Sequence, residues 1–492
     1  MAGLFLCYNV FMKQTFFFYD LETSGLNSRE DRIMQFAGQR TTLDFEPLGE
    51  PINLKIKLTD DTLPSPSAIM VTKITPQSTQ QDGLTEAEFC KFAQEEIFTP
   101  RTISLGYNTV RFDDEFMRHL FWRNFYDPYE WQWKDDRNRW DLLDVVRITR
   151  ALRPEGIEWP VKEDGKPTNR LELITKMNGI EHEHAHDALA DVIASIEVAK
   201  LLKQKQPQIF DYLFKTRTKH EVQKIVNLEN KQPFVYSSGR YGSEHNFTTV
   251  AFPLTTAKNG NILVYDLRYC LNDWEEAPLS DRSETTAEKE RRAPATAGCA
   301  DACREKSFFP IVKQLYFNRC PAVAPLGVLD KENGWQKIDL SREIIEKNLE
   351  TLLAHPEFAE QMREQKESQP DFPSAFDPES ALYDSFLPDN DRIKCNAVRN
   401  ATENQLADFH PDFTDERLPD LLIHYKAKNF PKSLTPDESK KWEEYRLKRL
   451  NRQMPKFTEE MAKLEQQGAN DFILEELKLW YQSLLPSDSE EL

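Results

Sequence analysis

Four carboxylate residues and one histidine have the types needed to hold divalent cations beside a proton acceptor. They are Asp20, Glu22, Asp113, His186 and Asp191. Carboxylates in that number cannot lie together without a counter-charge, because each would raise the pKa of the others. Two hard cations held by carboxylate oxygens, with an imidazole nearby, are suited to in-line attack on a phosphodiester. The set therefore favours metal-assisted phosphodiester hydrolysis.

The spacing of these residues predicts where they lie in the fold. Asp20 and Glu22 follow the aromatic run at residues 15–19, which predicts a buried strand, and strand alternation places both carboxylates on one face near its end. In α/β proteins that end of a strand borders the ligand crevice. His186 and Asp191 frame a predicted helix start, where a neutral imidazole can accept a proton from a metal-held water near neutral pH.

Each pattern also has a simpler interpretation. Asp-x-Glu is common in surface turns, and His-x4-Asp fits a solvated helix face. Asp113 is followed by Asp114 and Glu115, and such an acidic run complements the dipole of a helix N-terminus. The spacing alone does not indicate which of the three acids faces the site. Their occurrence together in one chain is what favours a metal site.

Hydrophobic periodicity predicts the elements that must position these residues. Strands are predicted at 15–19, 33–38, 52–58 and 103–108, and helices at 85–97, 113–125, 141–152 and 187–203. Residues 233–323 are rich in strand-forming runs, and the chain is helical in pattern from about residue 341. We therefore expect an α/β domain with a mixed sheet, then a β-rich domain, then a helical domain.

Bulk composition limits the classes of protein that fit. A chain of 492 residues is too long for one core and suggests about three domains. No apolar run reaches the roughly 18 residues that a membrane span requires, and seven scattered cysteines favour a reducing cytoplasm. The net charge of -19 argues against broad coating of duplex nucleic acid, although a local basic groove remains compatible with it. Met1 and Met12 both fit as the start residue, and residues 275–310 carry no pattern that we interpret.

Aromatic and basic residues suited to gripping a single strand concentrate between residues 118 and 159. Five tryptophans fall there among arginines and tyrosines, and an aromatic face stacks an unpaired base for roughly 1–3 kcal/mol. Core packing explains such tryptophans equally well. The best candidates for strand contact are Arg118, Tyr129, Trp133 and Arg147. Two further basic clusters fit a DNA channel, an acidic partner tail or a solvated helix face: Lys215, Arg217, Lys219, His220 and Lys224, and then Arg446, Lys448, Arg449 and Arg452.

Several longer motifs identify a family. The chain resembles the exonuclease I family, a bacterial group in the histidine-bearing branch of the DEDD proofreading exonucleases. The motifs that carry the resemblance are Phe-Tyr-Asp-Leu-Glu-Thr at 18–23, Leu-Gly-Tyr-Asn at 105–108, Arg-Phe-Asp-Asp-Glu at 111–115, Arg-Trp-Asp-Leu-Leu-Asp at 139–144, Ala-Leu-Arg-Pro-Glu-Gly at 151–156 and Asn-Gly-Ile-Glu-His at 178–182. The resemblance runs from about residue 14 to about residue 485.

The resemblance implies a fold and a set of roles. It implies an RNase H-like exonuclease domain at 14–204, an SH3-like β-barrel domain at 205–358 and a C-terminal α-helical domain at 359–485. It makes Asp20, Glu22, Asp113 and Asp191 the ligands of two Mg²⁺ ions, with Mn²⁺ as a substitute, and His186 the general base. It also places Glu22 and Arg170 against the terminal nucleotide of the substrate.

The implied activity is processive 3′-to-5′ degradation of single-stranded DNA to 5′-mononucleotides, in DNA repair and recombination. The implied partner is the acidic C-terminal tail of single-stranded DNA-binding protein, and we expect a cytoplasmic monomer that binds no membrane. An exoribonuclease of the same superfamily and a noncatalytic single-strand binding module are the two alternatives.

Overall fold

The computed structural model describes residues 13–182, 187–257, 260–271, 311–368, 375 and 377–485. His186, which is the predicted general base, lies outside these residues, as do Met1, Met12 and all of residues 275–310. The described chain divides into two compact units. Unit 1 comprises Met1–Asn138, Glu183–Ile193 and Pro373–Leu492, and unit 2 comprises Arg139–His182 and Ala194–Phe372.

The predicted domain boundaries at residues 204 and 358 follow the order of the chain, whereas the compact units do not. Residues 139–182 of the predicted first domain belong to unit 2, and the predicted C-terminal helices belong to unit 1. The boundaries themselves stay a prediction.

The strands are numbered in chain order. They are β1 (Thr15–Thr23), β2 (Ile33–Thr41), β3 (Ile52–Lys55), β4 (Thr102–Leu105), β5 (Asn138–Arg139), β6 (Phe234–Ser237), β7 (Thr248–Thr256), β8 (Ile262–Asp266), β9 (Val312–Leu315) and β10 (Ala322–Pro325). All four strands predicted for the first domain are present. β1 is longer than predicted, because it continues past the aromatic run to a register shift between Glu22 and Thr23.

The α-helices are numbered in the same way. They are α1 (Pro66–Thr72), α2 (Pro76–Asp82), α3 (Glu86–Phe92), α4 (Asp113–Arg123), α5 (Leu142–Leu152), α6 (Leu171–Met177), α7 (Ala188–Lys205), α8 (Pro207–Thr216), α9 (Lys219–Ile225), α10 (Gly334–Lys337), α11 (Arg342–Leu353), α12 (Glu357–Ser368), α13 (Asp389–Asn400), α14 (Glu403–Ala407), α15 (Leu418–Asn429), α16 (Pro436–Gln466) and α17 (Asp471–Leu484). The helix predicted at 85–97 consists of α3 and the π-helix Ala93–Ile97. In the part of the chain that the structure describes, none of these helices is long and apolar enough to cross a bilayer.

The sheet of unit 1 is mixed, as predicted. Its strand order is β3-β2-β1-β4-β5. β1 runs antiparallel to β2 and parallel to β4. Because β1 is central, its aromatic side chains are buried on both faces of the sheet, which matches their continuous apolar run.

The two faces of β1 contact different layers of unit 1. Phe17, Tyr19 and Leu21 belong to the core cluster that includes side chains of α3 and α4. On the other face, the rings of Phe16 and Phe45 stack with centroids 5.5 Å apart. Burial of each such side chain contributes about 1.5–3 kcal/mol. The strand that carries Asp20 and Glu22 is therefore firmly anchored before it reaches them.

A buried network of charged groups joins the sheet of unit 1 to its C-terminal helices. The Arg32 guanidinium lies 2.6 Å from the Glu379 carboxylate and 3.3 Å from that of Asp61, and these side chains are 1% exposed or less. Arg449 of α16 lies 3.3 Å from Asp61, and Lys428 of α15 also contacts Glu379. Removing one charged side chain would leave a buried charge unpaired, so the network stabilises the packing of the C-terminal helices within this unit.

Unit 2 contains the β-rich segment that the sequence predicts. Its sheet is antiparallel with the strand order β10-β6-β7-β8-β9. Phe234, Tyr236, Val264 and Val323 form part of its buried core. The prediction of a β-rich domain after the first α/β segment is confirmed for the strands that the structure describes.

Candidate active site

The end of β1 presents two carboxylates on one face. Residues 16, 18, 20 and 22 alternate onto the same side of the strand, so two buried phenylalanines are followed by Asp20 and Glu22. Asp20 pairs with Ala37 of β2, and Glu22 pairs with Gln35. The strand therefore holds both carboxylates in a fixed register, as the Asp-x-Glu spacing predicts.

The start of α7 supplies the third carboxylate. Asp187 caps this helix, since its Oδ1 accepts hydrogen bonds from the backbone N–H of Leu189 at 3.1 Å and of Ala190 at 3.2 Å. The cap fixes the first turn, in which Asp191 lies. Oxygen atoms of Asp20, Glu22 and Asp191 all lie within 4.8 Å of one another. The structure thus brings together three of the four predicted ligands, although Asp191 is 169 residues from Glu22 in the sequence.

Asp113 lies beside this group of three, which is defined here as the carboxylate cluster. It is the first residue of α4 and is 3% exposed. Its charge is one of the causes that raise the pKa of Asp20, after burial itself. Asp113 is not among the residues whose oxygens meet within 4.8 Å. It is therefore close enough to act on Asp20 and stands at the edge of the cluster.

The electrostatics of the carboxylate cluster call for a cation. Burial raises the pKa of Glu22 from its ordinary value of 4.5 to about 9, and the charges of Asp20, Asp191 and Asp187 add to the effect. Burial also raises the pKa of Asp20 well above its ordinary value, with Asp113 and Asp191 contributing. Divalent cations that prefer oxygen ligands fit this donor set, because they supply the positive charge that ionised carboxylates need.

The candidates for strand contact in unit 1 differ in exposure. Trp133 is 63% exposed, whereas Arg118 is 6% exposed. The Arg118 guanidinium donates to Glu115 at 2.5 Å and to Gln132 at 3.1 Å. It also lies 5.7 Å from the centre of the Tyr129 ring. Trp133 thus offers a free aromatic face, and Arg118 is held in a network that supports Tyr129.

The two candidates in unit 2 also have defined contacts. Arg147 of α5 donates to Asp144 at 2.6 Å and lies 5.6 Å from the centre of the Phe247 ring. Arg170, just before α6, has a side chain that is 46% exposed and lies 3.9 Å from Glu172. Their roles in binding a strand stay predictions.

Burial separates the remaining aromatic and basic candidates. Trp122, Trp131 and Trp140 are at most 4% exposed, so core packing explains them. Of the two basic clusters, the one at 446–452 is a surface cluster only in part, because Lys448 and Arg452 are exposed but Arg446 and Arg449 are not. Arg446 and Arg449 are buried and paired with carboxylates, which the sequence did not indicate because Asp61 is 388 residues away from Arg449. Lys215, Lys219, His220 and Lys224 of the other cluster are exposed.

Comparison with known proteins agrees with this geometry. A model of the "Exonuclease" family matches residues 17–199, the "Exonuclease I SH3-like domain" matches 217–366, and the "Exonuclease I C-terminal domain" matches 376–484. Exodeoxyribonuclease I of Haemophilus influenzae is 39% identical over 92% of this chain and 93% of its own length. The chain belongs to the exonuclease I family.

Solved structures of the exonuclease I family share the whole fold. Escherichia coli exonuclease I in complex with a dA16 oligonucleotide has a TM-score of 0.86 and 36% identity, and the match covers 96% of this chain and all of that one. A crystal structure of SSB/exonuclease I with an inhibitor has a TM-score of 0.83 and 35% identity at the same coverage. The expected exonuclease, SH3-like and C-terminal helical domains are confirmed.

Proposed function

We propose that this chain is a Mg²⁺-dependent exodeoxyribonuclease that removes 5′-mononucleotides from the 3′ end of single-stranded DNA. The observation that carries the proposal is the carboxylate cluster of Asp20, Glu22 and Asp191, whose oxygens lie within 4.8 Å of one another. Membership of the exonuclease I family supports the same activity. The family relationship also favours DNA over RNA as the substrate.

The residues have distinct roles in this proposal. Asp20, Glu22 and Asp191, with Asp113 at the edge, would hold two cations. The chemistry that bound Mg²⁺ supplies, or Mn²⁺ in its place, is activation of a water and neutralisation of the leaving oxygen. An imidazole nitrogen of His186 accepts the proton of that water, and Glu22 also contacts the terminal nucleotide.

The grip on the strand comes from stacking and charge. Trp133 and Tyr129 stack unpaired bases, and Arg118 keeps Tyr129 in place through their contact. Arg147 and Arg170 meet phosphates. Contacts of this kind tolerate any sequence, which suits an enzyme that moves along a strand without reading bases.

End-labelled oligonucleotides test the activity and its polarity. With Mg²⁺, a 3′-labelled single strand should release labelled mononucleotide at once, and a 5′-labelled strand should shorten in steps. Asp20→Asn and Asp191→Asn should abolish both signals, since each removes a charge from the carboxylate cluster. Asp82→Asn is the matched control, because that side chain is 67% exposed and lies outside the cluster. Full hydrolysis by either cluster variant would overturn the assignment.

The same assay separates the alternatives. A matched RNA oligonucleotide should be degraded more slowly than the DNA, and preference for RNA would favour the exoribonuclease. Binding without any Mg²⁺-dependent release of nucleotide would favour a noncatalytic module. His186→Ala should lower the rate by about 10²–10⁴-fold, which is the usual contribution of a general base.

We also propose contact with the acidic tail of single-stranded DNA-binding protein. The exposed basic residues of α8 and α9 support this, because a basic surface attracts an acidic peptide. Lys215→Glu combined with Lys219→Glu should weaken binding of a fluorescent tail peptide. Weaker binding of single-stranded DNA instead would assign this surface to the DNA channel. A monomeric state and a cytoplasmic location stay predictions.

A further inference from the structure

The acidic run at the start of α4 makes three separate contacts in the structure. Asp113 acts on Asp20 in the carboxylate cluster. Asp114 accepts a hydrogen bond of 2.5 Å from the Tyr19 hydroxyl. Glu115 pairs with Arg118 at 2.5 Å. The three consecutive acids therefore have different neighbours, and the middle one is hydrogen-bonded to a side chain of β1.

The Tyr19–Asp114 hydrogen bond is buried. Tyr19 is 1% exposed and Asp114 is 2% exposed, and the two residues are 95 positions apart in the chain. A buried polar group that loses its hydrogen-bond partner costs about 1–3 kcal/mol, so breaking this bond is unfavourable. This contact therefore resists displacement of α4 relative to β1.

The Tyr19–Asp114 hydrogen bond lies next to two of the proposed metal ligands in the sequence. Tyr19 immediately precedes Asp20 in β1, and Asp114 immediately follows Asp113 in α4. The bond thus joins the strand that carries Asp20 to the helix that carries Asp113, at the point where both elements enter the site. Nearby packing is close as well, since a Cβ on Gly106 would lie 2.5 Å from the Tyr19 carbonyl oxygen.

We propose that Tyr19 and Asp114 form a positioning pair that sets the cation affinity of the site by holding Asp113 next to Asp20. The proposal rests on the proposed function, since it assumes that the carboxylates bind divalent cations. Groups that orient metal ligands have a known scale of effect, because their loss weakens metal binding by about 10–100-fold. Neither residue touches the substrate in this account.

Calorimetric titration of the metal-free full-length protein with Mn²⁺ tests the pair without relying on activity. Tyr19→Phe removes only the hydroxyl, and we expect its Mn²⁺ affinity to fall by about 10–100-fold. Asp114→Asn keeps an acceptor for the hydroxyl, so its loss should be smaller. The loss of Mn²⁺ affinity in the double variant should be smaller than the sum of the losses in the two single variants, because both changes remove the same interaction.

Tyr265→Phe is the matched control. That tyrosine is fully buried in β8 of unit 2, and its hydroxyl donates to the Tyr269 carbonyl oxygen at 3.1 Å. It should lose thermal stability without losing Mn²⁺ affinity. An equal loss of affinity in the control would overturn the proposal, and so would wild-type affinity in folded Tyr19→Phe. If Tyr19→Phe fails to fold, wild-type affinity in Asp114→Ala overturns it instead.

The outcome is separable from the proposed function. Failure of the wild-type protein to release nucleotides with Mg²⁺ would overturn the nuclease assignment. Hydrolysis by the wild type, with unchanged Mn²⁺ affinity in the Tyr19→Phe variant, would overturn only the positioning pair. A raised Mg²⁺ requirement for hydrolysis by Tyr19→Phe, relieved at saturating Mg²⁺, would support it.

Discussion

Cation binding should release protons from the carboxylate cluster, and the pH dependence of affinity measures that release. Burial and neighbouring charges raise the pKa of Glu22 to about 9, so the metal-free site holds a proton there at neutral pH. A carboxylate must be ionised to act as a ligand. Mg²⁺ therefore competes with a proton at Glu22, and also at Asp20, whose pKa is raised in the same direction.

The magnitude follows from the distance between the working pH and this pKa. A working pH of 7 is about two units below the pKa of Glu22. Removing the Glu22 proton at that pH therefore costs about 2.7 kcal/mol, at 1.36 kcal/mol per unit. The apparent Mg²⁺ affinity should rise about tenfold per pH unit for this one proton between pH 7 and 9. A second proton from Asp20 would make the dependence steeper. Above about pH 9 the rise from Glu22 should end.

The stability of the metal-free protein should have the opposite dependence. An acid whose pKa is raised binds more protons in the folded state than in the unfolded state between pH 4.5 and about 9. Folding stability from this group is therefore complete below pH 4.5 and declines as the pH rises towards 9. Stabilisation by Mg²⁺ should grow over the same range.

Calorimetry in two buffers of different ionisation enthalpy counts the protons released. At pH 7 we expect release of about one proton from Glu22 per filled site, and Glu22→Gln should release fewer. The exposed Glu46→Gln variant is the control and should match the wild type. An Mg²⁺ affinity that is the same at pH 7 and pH 8.5, with no proton released, would refute the reasoning.

Three further predictions concern stability and DNA binding. Glu379→Gln removes the buried carboxylate that Arg32 and Lys428 share, which leaves Arg32 with Asp61 alone, and should lower the unfolding free energy in urea by about 3–5 kcal/mol. Burial opposes ionisation of Glu379, but Lys428 and Arg32 hold its pKa well below the ordinary value of 4.5. Its contribution to stability should therefore be lost progressively as the pH falls below 4.5, and Glu379→Gln should flatten the acid limb of a thermal unfolding series. Trp133→Ala should weaken single-strand binding, measured by fluorescence anisotropy, by about 1–3 kcal/mol without changing stability. Trp131→Ala should instead destabilise the fold by about 3–5 kcal/mol, because that side chain is buried. Equal effects of the two changes on binding would show that Trp133 does not stack a base.

Local patterns predicted the elements that carry the site. The aromatic run of β1 and the Asp-x-Glu spacing placed Asp20 and Glu22 on one face, because side-chain alternation is a property of any strand. Hydrophobic periodicity predicted a helix from residue 187, and the structure shows Asp187 as the N-cap of α7. Asp191 was included because it occurs together with the other acids and because of the family resemblance, since no local pattern brings residues so distant in sequence together.

Interactions between distant residues were beyond the reach of these patterns. The partners Arg32 and Glu379 are 347 positions apart, and the hydrogen bond from Tyr19 to Asp114 spans 95. Arg449 resembled part of a basic surface because its partner Asp61 is 388 positions away, and the burial of Arg446 beside Glu443 depends on tertiary packing as well. Pairing of this kind depends on tertiary packing, so composition could not distinguish a buried ion pair from a DNA-binding patch.

The carboxylate cluster can be tested most directly by anomalous diffraction from crystals of the protein soaked in Mn²⁺. The account predicts anomalous peaks about 2 Å from the carboxylate oxygens of Asp20, Glu22 and Asp191, which is the usual distance for such a ligand. Asp20→Asn crystals should lose or weaken those peaks. Wild-type crystals that diffract well and show no Mn²⁺ at these three side chains would contradict the central claim.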